Sequence, residues 1–283
     1  MKRGFGRAGA IAGAATSVLA AGALLLAFGG RSGAAAQASL TVNVPPPVSD
    51  KIYGAPQARG RPIVVIDAGH GGRDPGATSV SGEVNEKDLA LALARELRDD
   101  LVKRGRVRVA MTRDGDRYLS LDDRAAVARR LNAAMFVSLH LDSAPNPLAR
   151  GATIYSLSDV ASDAEAARLA AKENGVALAG PAGGSVEAML SDLAMQSQMS
   201  ASADLAVRLV HKSAGRFGLR PNPHRFASFH VLRRAEAPAV LFEAGYLSNA
   251  DDELLLRSPE QRAKISLALA QAIETDIAAR SRH

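Results

Sequence analysis

Two histidines and two glutamates of this chain stand where apolar runs end or a helix begins. Ile63, Val64, Val65, Ile66, Asp67, Ala68 and Gly69 deliver His70 into a glycine-rich loop, and residues 134–139 repeat the arrangement for His140. A third run, 239–242, ends at Glu243, and Glu86 opens a strongly periodic helical stretch. Cysteine is absent, so a bound metal would rest on imidazole and carboxylate alone. Hydrolysis of an amide needs a polarised carbonyl and hydroxide near neutral pH; zinc with three protein ligands and one open position supplies both. His70, Glu86 and His140 are the candidate ligands, because a His-His-Glu set suits Zn2+. Glu243 would stay off the metal as general base, a role worth about 10²- to 10⁴-fold. A carboxylate that ends an apolar strand is costly to bury without a partner or a role.

Each of these residues has a plainer reading. A histidine after a strand is usually a hydrogen-bonded, partly buried side chain, and it is the two matching positions that raise the metal reading. Glu86 suits the first turn of a helix for dipole reasons alone, and Glu83 competes with it on equal terms at this level. His211, His224 and His230 are rival ligands, but none follows an apolar strand. Arg113 and Arg124 read as structural anchors rather than substrate contacts. The stripe Leu89, Leu93, Leu97, Leu101 reads as core. The His70-Gly71-Gly72 loop has no following Lys-Ser/Thr pair and no GxGxxG pattern, which argues against nucleotide binding.

Positioning such residues requires alternating strands and helices. Strands are expected at 63–68, 107–112, 135–140, 153–157, 230–233 and 239–243. Helices are expected at 86–103, 121–132, 163–171, within 186–217, and at 259–279 with Ser258 as N-cap. Alternation of this kind implies a single α/β domain with a mostly parallel twisted sheet flanked by helices on both faces. Side chains at the carboxyl ends of such strands line the ligand crevice, so residues far apart in sequence can converge there. Residues 175–185 are rich in glycine and alanine, and Met189, Leu190, Leu193, Met195 and Met199 follow at helical spacing. That stretch is too short for a core of its own and reads as an insertion over the domain.

The 283 residues and 47% hydrophobic content suffice for one large domain. Lys2, Arg3 and Arg7, an apolar stretch over 8–28, and Ala36-Gln37-Ala38 read as a signal peptide over 1–38, the alternative being an uncleaved membrane anchor. Residues 39–61, with three consecutive prolines, read as an extended linker, which leaves 62–283 for the domain. The leader holds four basic residues and no acid, so the formal charge of +6 falls to +2 without it. That is too little to argue for a nucleic-acid partner. A monomer exported to the periplasm is expected.

Several stretches together resemble the zinc-dependent N-acetylmuramoyl-L-alanine amidases of bacterial cell-wall turnover, typified by the cell-separation amidases. They are residues 65–77 around His70, Glu86-Lys87-Asp88-Leu89, Thr112-Arg113-Asp114, residues 138–143 around His140, and residues 238–249 around Glu243. The likeness runs from about residue 62 to about residue 279. It implies that His70, Glu86 and His140 bind zinc, that Glu243 is catalytic, and that Glu86 is preferred over Glu83. It further implies hydrolysis of the amide between N-acetylmuramic acid and the L-alanine of the peptidoglycan stem peptide. Rival readings are a zinc peptidase cutting within the stem peptide and a non-catalytic peptidoglycan-binding protein. Leu141 stands where the pattern usually has a small residue, which suggests an altered substrate fit beside the metal. Residues 159–213 resemble an insertion that carries a helix occluding the site until an activator protein removes it. Glu187 is the first expectation for the occluding acid, with Glu173 and Asp192 as alternatives.

Overall fold

The carboxyl ends of four parallel strands make the edge on which the site is built. The computed structural model describes residues 51–175 and 186–281, with backbone alone for 186–190. These residues belong to one unit, 47–283. The expected signal peptide and most of the expected linker lie outside the described residues.

The strands are β1 (Ile52–Tyr53), β2 (Ile63–Ala68), β3 (Arg108–Met111), β4 (Met135–Asp142), β5 (Ala152–Leu157), β6 (Leu219–Ala227) and β7 (Ala239–Tyr246). The helices are α1 (Glu86–Arg104), α2 (Leu121–Arg130), α3 (Ala164–Asn174), α4 (Val186–Ser213), α5 (His230–Arg234), α6 (Ala250–Arg257) and α7 (Pro259–Arg280). All seven strands form one sheet in the order β1-β3-β2-β4-β7-β5-β6. β3, β2, β4 and β7 run parallel, β5 runs antiparallel to β7, and β6 follows β5 in parallel. β1 closes the other margin antiparallel to β3, so part of the expected linker is sheet.

Both faces of the sheet are covered, which is why β2, β4 and β7 are buried at every position. On one face Val64, Ile66, Val137, Leu139 and Phe242 pack with the leucine stripe of α1, with α7 and with Leu205 and Leu209 of α4. On the other, Val65, Phe136 and Leu241 pack with Val127 of α2, Leu169 of α3 and Leu232 of α5. Local signals set the helix ends. Gly105, at φ 67°, closes α1 by donating its N–H to the carbonyls of Leu101 and Val102. Ser258 caps α7 by accepting from the Gln261 N–H, with Pro259 at the first helical position.

One expected element changes, and another is described only in part. Residues 230–233 form the start of the short helix α5, not a strand, because a run of so few residues carries no period that separates the two. The second half of the Met-rich helix α4 is fixed to the core, while residues 176–185 of the expected hinge and the side chains of 186–190 lie outside the described residues. Ser202 Oγ accepts from the Ala239 N–H at 2.9 Å, Gln198 donates to the Leu232 carbonyl at 2.8 Å, and Leu205 and Leu209 are fully buried.

Candidate active site

Strand register decides which side chains meet. His140 on β4 pairs with Glu243 on β7, and Glu243 pairs with Thr153 on β5. Directly paired residues point to the same face of a sheet, so His140 and Glu243 stand side by side facing α2, α3 and α5. One strand away, the Gly69 N–H donates to the Leu139 carbonyl at 3.0 Å and sets the end of β2 against β4. His70 then turns back with φ 58°, a left-handed conformation that a non-glycine residue holds only where its surroundings impose it. The two imidazole centroids are 5.0 Å apart.

Glu86 reaches this pair from the first turn of α1. Its Oε1 lies 3.0 Å from His70 Nε2 and 3.0 Å from His140 Nδ1. The same oxygen accepts the Leu141 N–H at 3.0 Å, and Oε2 accepts the Ala77 N–H at 2.9 Å. Burial opposes ionisation of Glu86, but the two histidines outweigh it and hold the carboxyl well below its usual range. Glu83, the rival, is largely exposed and pairs with Arg257 away from the histidines.

A second carboxylate arrives from the last turn of α3. Glu173 Oε2 is 3.4 Å from His140 Nδ1 and 3.6 Å from His70 Nε2. His70, His140 and Glu173 can thus offer three ligand atoms within 4.8 Å of one another, a group able to hold a metal ion. Glu86 lies closer to both rings and is the better anchored of the two acids. Both its oxygens are fixed by backbone N–H groups, whereas Glu173 sits one residue before the end of its helix.

The donor set fits a divalent cation. His70 Nε2 is buried and makes no hydrogen bond among the described residues, since Glu86 Oε1 is near but not aligned with it. On the other side of the ring, His70 Nδ1 lies 2.9 Å from Asp74 Oδ2. A carboxylate in that place fixes the tautomer and leaves Nε2 for a metal. Burial disfavours the charged imidazole, but Asp74 and Glu86 outweigh it and raise the His70 pKa to about 10. Negative charge concentrated so heavily on an imidazole matches the demand of a bound cation. Two glycines make the approach possible: a Cβ on Gly69 would come within 2.5 Å of the His140 ring. One on Gly76 would come within 2.6 Å of both Glu86 Oε2 and the His70 ring.

Two buried arginines hold the loop that carries His70. Arg113 donates to the carbonyls of Ala68, Gly69 and Lys87. Arg124 donates to the carbonyls of Ala68 and His70 and pairs with Asp67 at 2.8 Å. They are anchors, as their positions in the sequence suggested.

Glu243 is 1% exposed, and its Oε2 has no hydrogen-bond partner among the described residues. Burial, then Asp142, Glu86 and Glu173, push its carboxyl well above the usual range, with Lys172 opposing. The cleft beside these groups has a volume of about 370 Å³ and is lined by His70, His140, Glu173, Tyr118 and Phe229. His224 and His230 lie elsewhere, on Ser156 and Asp122, and His211 is on α4. Leu141 packs into the α1 and α7 face, so the expected effect of its side chain beside the metal does not arise. Of the three acids considered for occlusion, Glu173 meets the histidines and Asp192 is exposed. The Glu187 side chain lies outside the described residues. Asp74 and Lys172 were not singled out in the sequence. A carboxylate four residues after His70 in a glycine-rich loop was the available signal for Asp74.

The family model described as N-acetylmuramoyl-L-alanine amidase matches residues 64–275, which include both histidines, Glu86, Glu173 and Glu243. The chain belongs to this amidase family. The amidase AmiA of Escherichia coli K12 is 33% identical over 225 residues, covering 77% of this chain and 77% of the relative. The amidase AmiC of Neisseria meningitidis serogroup B is 34% identical over 220 residues, covering 76% of this chain and 52% of the relative. The chain thus spans about half the length of that Neisseria amidase. Among solved structures, the amidase catalytic domain of CwlV from Bacillus (Paenibacillus) polymyxa var. colistinus matches with a TM-score of 0.54 at 28% identity. That match covers 75% of this chain and 96% of the domain.

Proposed function

We propose that this chain is a zinc-dependent N-acetylmuramoyl-L-alanine amidase. In this reading it hydrolyses the amide between N-acetylmuramic acid and the L-alanine of the peptidoglycan stem peptide. The observation that carries the reading is the convergence of His70 Nε2, His140 Nδ1 and Glu86 Oε1, with Glu243 beside His140 in strand register, inside a segment matched by the amidase family.

His70, His140 and Glu86 would hold the zinc, and Asp74 would fix the His70 ring with Nε2 inward. When bound, zinc polarises the scissile carbonyl and brings the pKa of a water to about 7. Glu243 takes the proton of the attacking water and returns it to the departing amine, as a buried carboxylate with a free oxygen suits. A bound cation would draw the Glu243 pKa down from its raised value toward the range where it serves as a base. Arg113 and Arg124 take no part in the proton transfer. They keep the His70 loop in place.

Glu173 would take the place that substrate needs, and this supports an inhibited resting state in which the last turn of α3 covers the site. Lifting that turn would break the hydrogen bonds of Asn174 with the Ser228 carbonyl and the His230 N–H, at 2.8 and 2.7 Å, while Ala166 and Leu169 anchor the helix before it. An activator protein would act by holding the turn away. Residues 1–38 serve as the export signal in this reading, and the enzyme works in the periplasm on cell-wall remodelling and daughter-cell separation. No helix among the described residues is long and apolar enough to cross a membrane.

Mass spectrometry of purified sacculi after digestion tests the reaction. Intact stem peptides with a free L-alanine amine and glycan stripped of peptide are expected. Peptide fragments left on muramic acid would assign the cut to the stem instead, and absence of any product under activating conditions would favour a binding protein.

A further inference from the structure

A second cavity lies on the same edge of the sheet as the metal cluster. The connection from β4 to β5, the first turns of α3 and the start of β6 enclose about 530 Å³. β5 runs antiparallel to β7 and β6 follows β5, so the first residues of β5 and β6 share an edge with the last residues of β4 and β7. Helix α3 joins the two places. Glu165 lines the cavity and Glu173 touches the histidines, a separation of about 12 Å at the helical rise.

The charged lining of this cavity is Arg150, Arg168, Arg220 and Glu165. Glu165 is satisfied by Arg220, which donates to its two oxygens at 2.8 and 3.0 Å, and by the Tyr246 hydroxyl at 3.1 Å. Arg150 pairs with Asp251 at 2.9 Å on the exposed rim. Arg168 is exposed on α3 and forms no hydrogen bond or ion pair among the described residues, though its charge acts on the buried Asp142 carboxyl. Beside these charges stands Leu148, 79% exposed, as an apolar wall. With Arg150 paired to Asp251 and Arg220 to Glu165, Arg168 is the one guanidinium of this lining without an ion pair among the described residues, and the planar fork of an arginine suits a carboxylate in two-point contact.

We propose that this cavity is a carboxylate subsite, in which Arg168 takes an acidic group of the stem peptide beyond the scissile amide. The assignment rests on the amidase reading above and adds the substrate group that fixes the peptide's direction. Arg168 and Glu173 are about 7.5 Å apart along the axis of α3 and about 140° apart around it, so a peptide advancing about 3.3–3.6 Å per residue needs at least two residues to pass from one to the other. Aliphatic portions of the peptide would lie on Leu148. Arg168 makes no hydrogen bond that the charged group would have to break, and its attraction to the buried Asp142 carboxyl acts at longer range.

The probe is the free stem peptide, prepared with its carboxyl groups intact or converted to amides, and titrated calorimetrically into the full chain. One charge-assisted hydrogen bond of about 1.5 kcal/mol corresponds to roughly tenfold in affinity, so the intact peptide is expected to bind about tenfold tighter than the amidated one. Arg168→Gln should remove that preference with no change in zinc content or thermal stability, since the side chain is exposed and makes no hydrogen bond among the described residues. Equal binding of the two peptides by the wild-type protein, or a preference that survives Arg168→Gln, overturns the subsite. If the wild-type protein binds both peptides equally and still strips stem peptides from sacculi, the subsite fails and the amidase reading stands. If it binds neither peptide and strips none, both fall.

Discussion

Glu86 is held at the centre of the cluster by contacts that no single segment supplies. Its oxygens accept N–H groups from the loop after β2 and from β4, while its own backbone begins α1. His70 depends on a similar agreement among a left-handed backbone, the Asp74 carboxylate and two arginines on its loop. These roles predict unequal effects on metal content. His70→Ala and His140→Ala should each lower zinc stoichiometry well below one and abolish turnover. Glu243→Gln should keep zinc near one per chain and reduce turnover by about 10²- to 10⁴-fold, the usual worth of a general base. Metal analysis beside product formation reads both, and zinc loss in all three variants would make Glu243 a ligand. Among the residues in these roles, the two histidines and Glu243 were legible from the apolar runs before them. Residue chemistry alone did not separate Glu86 from Glu83; the family resemblance preferred Glu86, and the helix sets it against the histidines with Glu83 in solvent.

At the scale of elements, α3 carries the functional tension of the site. Its middle is core, with Ala166 and Leu169 fully buried, yet its last turn sets Glu173 against two candidate metal ligands. Removing that carboxylate should favour the open arrangement without unpacking the helix. Glu173→Gln is therefore expected to raise basal hydrolysis of purified peptidoglycan roughly tenfold, the factor equivalent to one charge-assisted contact of about 1.5 kcal/mol. A variant that folds, holds zinc and hydrolyses no faster than the wild-type protein would remove α3 from regulation. The Met-rich helix looked like the better cover in the sequence, because glycine and alanine precede it and methionine packs adaptably. Its leucines at 205 and 209 complete the core opposite the site, while Met195 and Met199 pack against the cluster on the site's face. β6 escaped the sequence reading for a different reason. Pro221 and Pro223 interrupt it, and a strand with two prolines survives only at a sheet margin, a position that neighbours decide.

For the molecule as a whole, Asp67 links the centre of the sheet to the helix layer. It accepts from Thr112 on the segment after β3, from Ser138 on β4 and from Arg124 on α2. Burial would raise its carboxyl, but Arg124 and the two hydroxyls outweigh that and hold it below its usual value of 3.8. A carboxyl with a lowered folded pKa stabilises the protein above the unfolded value, and that contribution is lost as pH falls through the folded one. Asp67→Asn leaves Arg124 buried without its anion and should cost about 3–5 kcal/mol at pH 7 in urea unfolding. The gap from the wild-type protein should narrow only below about pH 4, as the wild-type carboxyl itself becomes neutral. A gap unchanged down to pH 3 would show that the pair contributes little. The sequence alone determined the α/β class, the parallel strands and the residues that end them, because buried strands and amphipathic helices write their periods directly into residue order. Tertiary structure decided the rest: that Glu86 and not Glu83 faces the histidines, which residue chemistry had left open, that Glu173 of α3 reaches them, and that an arginine-lined cavity opens on the same edge of the sheet. Those outcomes depend on strand order, register and close approach at Gly69 and Gly76, which are relations between distant segments and leave no period in any one of them.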